Sequence, residues 1–208
     1  RAIANLANFY YVRQKGPMGN GTPIWNARHI IGDEPFLVLW GDEFVDAIPQ
    51  TRSQQLVAAY EKYGGSAILG AIRTSRKEDY DRYGYAAGDL IEDGVLKINQ
   101  FIEKPGQGVI DSDYAVVGGY VFSPDYFPAI EEAMRDLEKR NTPEELYWAD
   151  GMRNLLRDGK DAHAVEIQNG RYYDCGNKLE YLKAVVEFGL KHEDLKDEFA
   201  EFLKGIKN

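Results

Sequence analysis

Two aspartates follow short stretches that are typical of β-strands. Asp42 comes after residues 36–40 (FLVLW) and one glycine, and Asp174 directly follows residues 171–173. Ligands of open parallel α/β sheets bind beyond the carboxyl ends of the strands, so we expect both carboxylates at such an edge. Proteins commonly hold Mg²⁺ with one or two carboxylates, and substrate phosphates complete its shell. The pair therefore predicts one divalent-cation site, although a single aspartate at a turn often bonds only its own backbone.

A glycine-rich segment and a Glu-Lys pair are further candidates for ligand contacts. Residues 14–21 (QKGPMGNG) precede a predicted helix, and backbone amides at a helix N-terminus suit anions. The segment has neither the GxxxxGK[ST] nor the GxGxxG spacing. Glu103 and Lys104 end a predicted strand before Pro105. A glutamate can accept sugar hydroxyls and a lysine is a compact charge for phosphate. The residue types alone are also consistent with a flexible connection and a solvated ion pair.

Residues for nucleophilic or zinc chemistry do not form a pattern in the sequence. His29, His163 and His192 are scattered without metal-ligand spacing, and the single cysteine, Cys175, excludes an intramolecular disulfide. Neither G-x-S-x-G nor HExxH occurs. The carboxylates are therefore the main candidates for catalysis.

Length and charge narrow the class of protein. The chain has 208 residues, with 25 Lys and Arg against 34 Asp and Glu, a formal net charge of −9. An acidic chain without a long basic cluster argues against non-specific nucleic-acid binding. No apolar run approaches the roughly 20 residues of a membrane-spanning helix, and no signal-peptide pattern opens the chain. We expect a cytoplasmic globular protein with one domain over residues 1–208.

The order of predicted elements indicates the framework that positions these residues. Alternating strands and helices up to residue 72 predict an α/β fold with a mixed, mainly parallel sheet flanked by helices. Strand-like stretches without intervening helices between residues 83 and 122 predict some antiparallel pairing. Strands are expected at residues 9–12, 36–40, 66–72, 83–87, 95–102, 114–122, 162–167 and 171–173. Helices are expected at residues 22–31, 52–63, 126–138, 143–157, 177–191 and 193–206.

Six short motifs, in order along nearly the whole chain, carry a resemblance to a known family. They are YVRQKGPMGNG at residues 11–21, IGDEPFLVLWGD at 31–42, YG at 83–84, IEKP at 102–105, VGGYVFSP at 117–124 and RYYDCGNKLEY at 171–181. Together they resemble the bacterial UTP–glucose-1-phosphate uridylyltransferases. The resemblance implies a Rossmann-like nucleotidyltransferase fold, a homo-oligomer and Mg²⁺-dependent formation of UDP-glucose and pyrophosphate from UTP and glucose 1-phosphate.

The resemblance also implies roles for individual residues. Asp42 and Asp174 match the two metal-binding aspartates. The uracil contacts match Gln14 and Gly21, and the sugar contacts match Gly84 and Glu103. Lys104 matches a lysine on the sugar phosphate, and with the two aspartates it makes up the expected catalytic set.

The sequence departs from the family pattern at several places. Glu43 stands where the family has a second Asp, and Gly119 where an Arg is common. The family's Gly-x-Gly-Thr-Arg triphosphate loop, which follows its first strand, does not occur in these residues. We therefore expect the 208 residues by themselves to lack turnover, with residues 36–40 left at an unpaired sheet edge. Two alternatives stay open: a glucose-1-phosphate thymidylyltransferase and a non-catalytic module that binds nucleotide sugars.

Overall fold

A mixed β-sheet and a separate two-stranded ribbon form the framework of the fold. The computed structural model describes residues 5–140 and 144–206. Its helices are α1 (Gly21–Asn26), α2 (Arg28–Ile31), α3 (Arg52–Tyr63), α4 (Tyr126–Arg140), α5 (Trp148–Arg157), α6 (Lys178–Lys191) and α7 (Lys196–Gly205). Its strands are β1 (Phe36–Val38), β2 (Glu43–Ala47), β3 (Ala67–Arg73), β4 (Gly84–Glu92), β5 (Val95–Glu103), β6 (Tyr114–Phe122), β7 (Ala162–Glu166) and β8 (Gly170–Asp174).

The main sheet has six strands in the order β1-β6-β3-β7-β5-β4, and β4 also pairs with β6. Among the described strands β3 and β7 are parallel, and the other neighbours in this sheet are antiparallel. The expected mixed sheet is confirmed, but the expectation of mainly parallel pairing is wrong. A tight turn at Asp93 and Gly94 joins β4 to β5, and β5 reaches β6 without a helix. Parallel neighbours need a long crossover connection, which these strands do not have.

The first two strands expected from the sequence differ from the structure. Residues 9–12 form no strand, and Tyr11 is 95% exposed, because an aromatic run becomes a strand only when a partner strand accepts its backbone hydrogen bonds. Of residues 36–40, only residues 36–38 form a strand, β1. It pairs with β6 on one side and lies at the edge of the described sheet. The expected position of residues 36–40 at a sheet edge is confirmed, although the strand ends at Val38.

The later elements follow the expected pattern more closely. Helix α3 matches its expected bounds, and a capping box between Thr51 and Gln54 fixes its first turn. The helix expected from residue 143 begins at Trp148, and residue 143 itself lies outside the described residues. Strand β2 was not expected.

The helices cover both faces of the main sheet. Leu56 and Ala59 of α3 pack with Ile68 and Val121 on one face. On the other face α4 and α5 pack against the alternate residues of the same strands, Leu69 and Phe122 among them. No helix in the described parts of the chain combines the length and apolar character needed to cross a membrane.

We expect Leu56→Ala to lower the free energy of unfolding by about 2–5 kcal/mol, because it leaves a cavity between α3 and the sheet. Leu56 is fully buried. Val57, the next residue of the same helix, is 43% exposed, and Val57→Ala should change stability by no more than about 0.5 kcal/mol. Chemical denaturation followed by circular dichroism measures both. Equal losses in the two variants would contradict the packing described for α3.

Candidate active site

The ribbon formed by β2 and β8 brings Asp42 and Asp174 together. The two strands are antiparallel, and their register places Glu43 opposite Asp174. Asp42 Oδ2 and Asp174 Oδ1 lie 3.0 and 3.3 Å from the position that a Cβ atom on Gly176 would occupy. The two carboxylates therefore lie together beside the backbone of Gly176. They do so at the ribbon, and not at the carboxyl ends of parallel strands where the sequence placed them.

The surroundings of the two aspartates differ. In the described residues the Asp42 side chain is exposed and makes no hydrogen bond or ion pair. Asp174 Oδ2 accepts from Arg82 Nη2 at 2.6 Å, and its Oδ1 accepts from the Asn177 amide at 3.3 Å. Asp42 is thus without a partner among residues 5–140 and 144–206, while Asp174 is oriented by an arginine and by the turn that starts α6.

The donor set fits a divalent cation that is completed by its substrate. No third Asp, Glu, His or Cys joins the pair within residues 5–140 and 144–206. Two carboxylates without further protein ligands are what Mg²⁺ commonly uses beside phosphate oxygens and water. The space that a Cβ on Gly176 would fill is left open between the two oxygens.

An open cleft of about 350 Å³ connects the aspartates with the main sheet. Its walls come from the ribbon, from the N-terminal ends of β4 and α5, from the C-terminal end of β5 and from the middle of β6. The lining residues are Asn20, Trp40, Asp42, Glu43, Arg82, Tyr83, Gly84, Glu103, Val116, Val117, Gly118, Tyr120, Trp148, Tyr172 and Asp174. Four of the residues predicted from the sequence share this cleft: both aspartates, Gly84 and Glu103.

Gly84 and Glu103 face each other across the β4–β5 ladder. A Cβ on Gly84 would lie 2.8 Å from Glu103 Oε2 and 2.6 Å from Phe101 Cζ. Glycine at this position therefore leaves room for the carboxylate beside the cleft. Burial raises the pKa of Glu103, against the opposing effect of Lys104 and Arg153. Lys104 is exposed, has a φ of +45° and does not line the cleft.

The predicted uracil contacts do not line the cleft. Gln14 Nε2 donates to the carbonyls of Pro17 and Gly19, both at 3.3 Å, so this side chain folds onto its own loop. The Gly21 amide donates to the Leu146 carbonyl, and a Cβ here would lie 2.9 Å from the backbone of Tyr147. Close packing against the backbone of Tyr147 therefore explains why residue 21 is a glycine.

Sequence reasoning missed the residue of this segment that reaches the cleft, Asn20. Its Oδ1 accepts from the Trp148 amide at 2.9 Å. Asparagine within a glycine-rich loop is typical of turns, so its type alone gave no signal.

An aromatic wall was also missed. The rings of Tyr120 and Trp148 stack with their centroids 4.2 Å apart, and Trp40 Nε1 donates to Tyr120 Oη at 3.3 Å. Such rings offer a flat apolar surface for a sugar or a base. The sequence held a signal for Trp40, because it is the last residue of the predicted strand that precedes Asp42.

A comparison with family models places the chain in a known class of enzyme. Residues 3–189 match the nucleotidyl transferase model, and the chain belongs to this family. The expected nucleotidyltransferase fold is thereby confirmed.

Two curated relatives carry a more specific name than the family model does. The chain is 36% identical over 202 residues to UTP–glucose-1-phosphate uridylyltransferase 2 of Staphylococcus saprophyticus, covering 97% of this chain and 66% of the relative. It is 34% identical over 209 residues to the UTP–glucose-1-phosphate uridylyltransferase of Bacillus subtilis, covering 100% and 68%. The chain thus spans about two thirds of the length of these relatives. The resemblance stated from the motifs is confirmed.

Among solved structures, the chain is similar to a UDP-glucose pyrophosphorylase in complex with UDP-glucose. The TM-score is 0.77 at 29% identity, and the match covers 88% of this chain and 67% of the other.

The shifted pKa of Glu103 predicts a pH dependence of stability. Burial raises this pKa, so the folded protein binds the proton more tightly than the unfolded chain does. The resulting stabilisation is complete below the pKa of the unfolded chain and is lost as the pH rises through the folded pKa. The free energy of unfolding of the wild type, relative to Glu103→Gln, should therefore fall as the pH rises from about 4 into the neutral range. Urea denaturation across this range measures it, and a constant or rising difference would contradict the assignment.

Proposed function

We propose that the protein transfers a uridylyl group from UTP to glucose 1-phosphate and releases pyrophosphate and UDP-glucose. The convergence of Asp42 and Asp174 beside Gly176 is the observation that carries the proposal. The names of the curated relatives supply the substrates. The opposite wall of the cleft presents a half-buried carboxylate, Glu103, which suits the hydroxyls of a sugar.

Nucleotidyl transferases use a divalent metal, and we propose Mg²⁺ here, held by Asp42 and Asp174. When bound, it supplies positive charge against the phosphates of the nucleotide. The carboxylates orient that charge, and Arg82 holds Asp174 in place through a 2.6 Å ion pair. Because the arginine uses Oδ2, Asp174 Oδ1 and Asp42 Oδ2 remain on the side of Gly176.

The reaction needs no nucleophile from the protein. A phosphate oxygen of glucose 1-phosphate attacks the α-phosphorus of UTP, forming a new P–O bond. The bond between the α-phosphorus and its bridging oxygen breaks, and pyrophosphate leaves with that electron pair. Catalysis of such transfers is mainly positioning and charge neutralisation. This agrees with the sequence, in which no nucleophile–base pattern was found.

Sugar recognition is assigned to the edge where β4 begins and β5 ends. The Glu103 carboxylate accepts sugar hydroxyls, and Gly84 keeps the space in front of it open. Lys104 follows directly and is exposed, so its ammonium is available to the sugar phosphate. Gln14 and Gly21 are proposed at the uracil. For Gln14 this requires the side chain to leave the two carbonyls that it now contacts.

We expect Asp42→Asn and Asp174→Asn each to reduce kcat by at least about 100-fold. Each removes one negative charge from the cation site and leaves the core intact. Asp46→Asn is a matched control, because Asp46 lies on β2, which begins directly after Asp42, but pairs with Lys191 outside the cleft. It should keep near-normal turnover. Steady-state kinetics at several Mg²⁺ concentrations measure this, and normal activity of either cleft variant would refute the metal assignment.

The nucleotide that the protein uses distinguishes the proposed uridylyltransferase from the two alternatives left open by the sequence. The protein that carries this sequence should release pyrophosphate with UTP and glucose 1-phosphate, and dTTP should compete poorly. A preference for dTTP would favour a thymidylyltransferase. Binding of UDP-glucose without turnover of either nucleotide would favour a non-catalytic module. Trp40 and Trp148 line the cleft, so quenching of tryptophan fluorescence can report UDP-glucose binding independently of activity.

A further inference from the structure

A buried ion pair lies one residue away from the candidate cation site. Arg52, the first residue of α3, places Nη1 2.5 Å from Oε1 of Glu43, the first residue of β2. The two side chains are 8% and 6% exposed. Glu43 directly follows Asp42 and lies opposite Asp174 in the ribbon. The pair therefore adjoins both aspartates through the backbone.

The same two side chains also bind the backbone of the main sheet. Glu43 Oε2 accepts from the Gly118 amide at 2.7 Å, and Arg52 Nη1 donates to the Gly118 carbonyl at 2.5 Å. The backbone of Gly118, in β6, is thus hydrogen-bonded through both its amide and its carbonyl. These contacts fix the start of the ribbon against the middle of β6.

Two consecutive glycines make room for this arrangement. A Cβ on Gly118 would overlap the Glu43 carboxylate. Gly119 has a φ of +108°, and a Cβ there would lie 2.9 Å from Arg52 Cδ. Residues 43 and 119 are also two positions at which the sequence departs from the family pattern, and the structure joins them through Arg52.

Stability alone is a weak reason for such a pair. Taking two charges out of water costs free energy, and well-packed apolar residues often serve stability equally well. Removing one partner is different, because it leaves the other charge buried and alone. A buried pair that holds a strand beside a carboxylate ligand resembles the outer shell of a metal site, which orients the ligands.

We infer that Arg52 is a positioning residue for the cation site and acts through Glu43 on the orientation of Asp42. The inference rests on the proposed function as regards which reaction is catalysed. The effect on metal binding can be measured without knowing that reaction. Arg52 does not line the cleft, so the effect is indirect.

The test compares Arg52→Met, Arg52→Lys and Lys62→Met in the protein that carries this sequence. Methionine keeps the apolar stem beside Leu56 and removes the charge. Lys62 lies on the same helix and forms an exposed pair with Glu92, so its loss controls for removal of a cation from α3. Three quantities are measured: the affinity for Mn²⁺ alone by electron paramagnetic resonance, the melting temperature, and kcat with the KM for glucose 1-phosphate.

Arg52→Met should weaken Mn²⁺ binding and lower kcat by about 10- to 100-fold, as for other outer-shell partners of metal ligands. The KM for glucose 1-phosphate should change less than about twofold, because Glu103 and Gly84 are untouched. Arg52→Lys retains the charge and should recover part of both losses. Lys62→Met should behave like the wild type.

Unchanged Mn²⁺ affinity in Arg52→Met, with only a lower melting temperature, would show a structural role and overturn the inference. Should Arg52→Met fail to fold, the decision passes to Arg52→Lys, and wild-type Mn²⁺ affinity together with wild-type kcat in that variant would likewise overturn it. A wild-type protein that binds Mn²⁺ but does not form UDP-glucose would refute the proposed function alone. In that case the Mn²⁺ comparison still decides whether Arg52 positions the site.

Discussion

The antiparallel register of β2 and β8 is the constraint on which the candidate site depends. It sets Glu43 against Asp174, and the residue before Glu43 is Asp42. Backbone hydrogen bonds therefore bring together two carboxylates that are 132 positions apart in the sequence. Stacking of Phe44 on Tyr173, 4.8 Å between centroids, adds a side-chain contact to this register. A slip by one residue would turn these side chains to the opposite face of the ribbon.

The second constraint is the attachment of the ribbon to the main sheet. A strand pair by itself is marginal in water, and here buried contacts from Glu43 and Arg52 to Gly118 hold its first residue. The cleft then has one wall that carries the acidic pair and another wall, from β4 to β6, that carries Glu103 and the aromatic residues. We thus propose metal binding and sugar binding on different elements.

The mixed α/β fold and most of its helices and strands could be predicted from the sequence. The features that could not be predicted have physical reasons. Both aspartates were singled out because each follows a predicted strand, whereas the antiparallel ladder between β2 and β8 that brings them together was not predicted. Strand β2 was missed because it has only five residues, which mix acidic and apolar types, and its partner strand is far away in the chain. The extent of antiparallel pairing was underestimated because periodicity does not reveal strand direction. Arg52 gave no signal, since its partner in β6 is 66 residues distant and only the fold makes it a neighbour.

Placing both carboxylates on one ribbon has a consequence for the evolution of substrate range. The spacing of the pair is set by the local ladder between β2 and β8, and the facing wall reaches the ribbon through Gly118. Under the proposed function, substitutions at Gly84, Tyr120 or Trp148 would alter which sugar or base fits the cleft and would leave the ladder that joins Asp42 to Asp174 in place. The residues proposed for the chemical step and those proposed for the choice of substrate can therefore change independently.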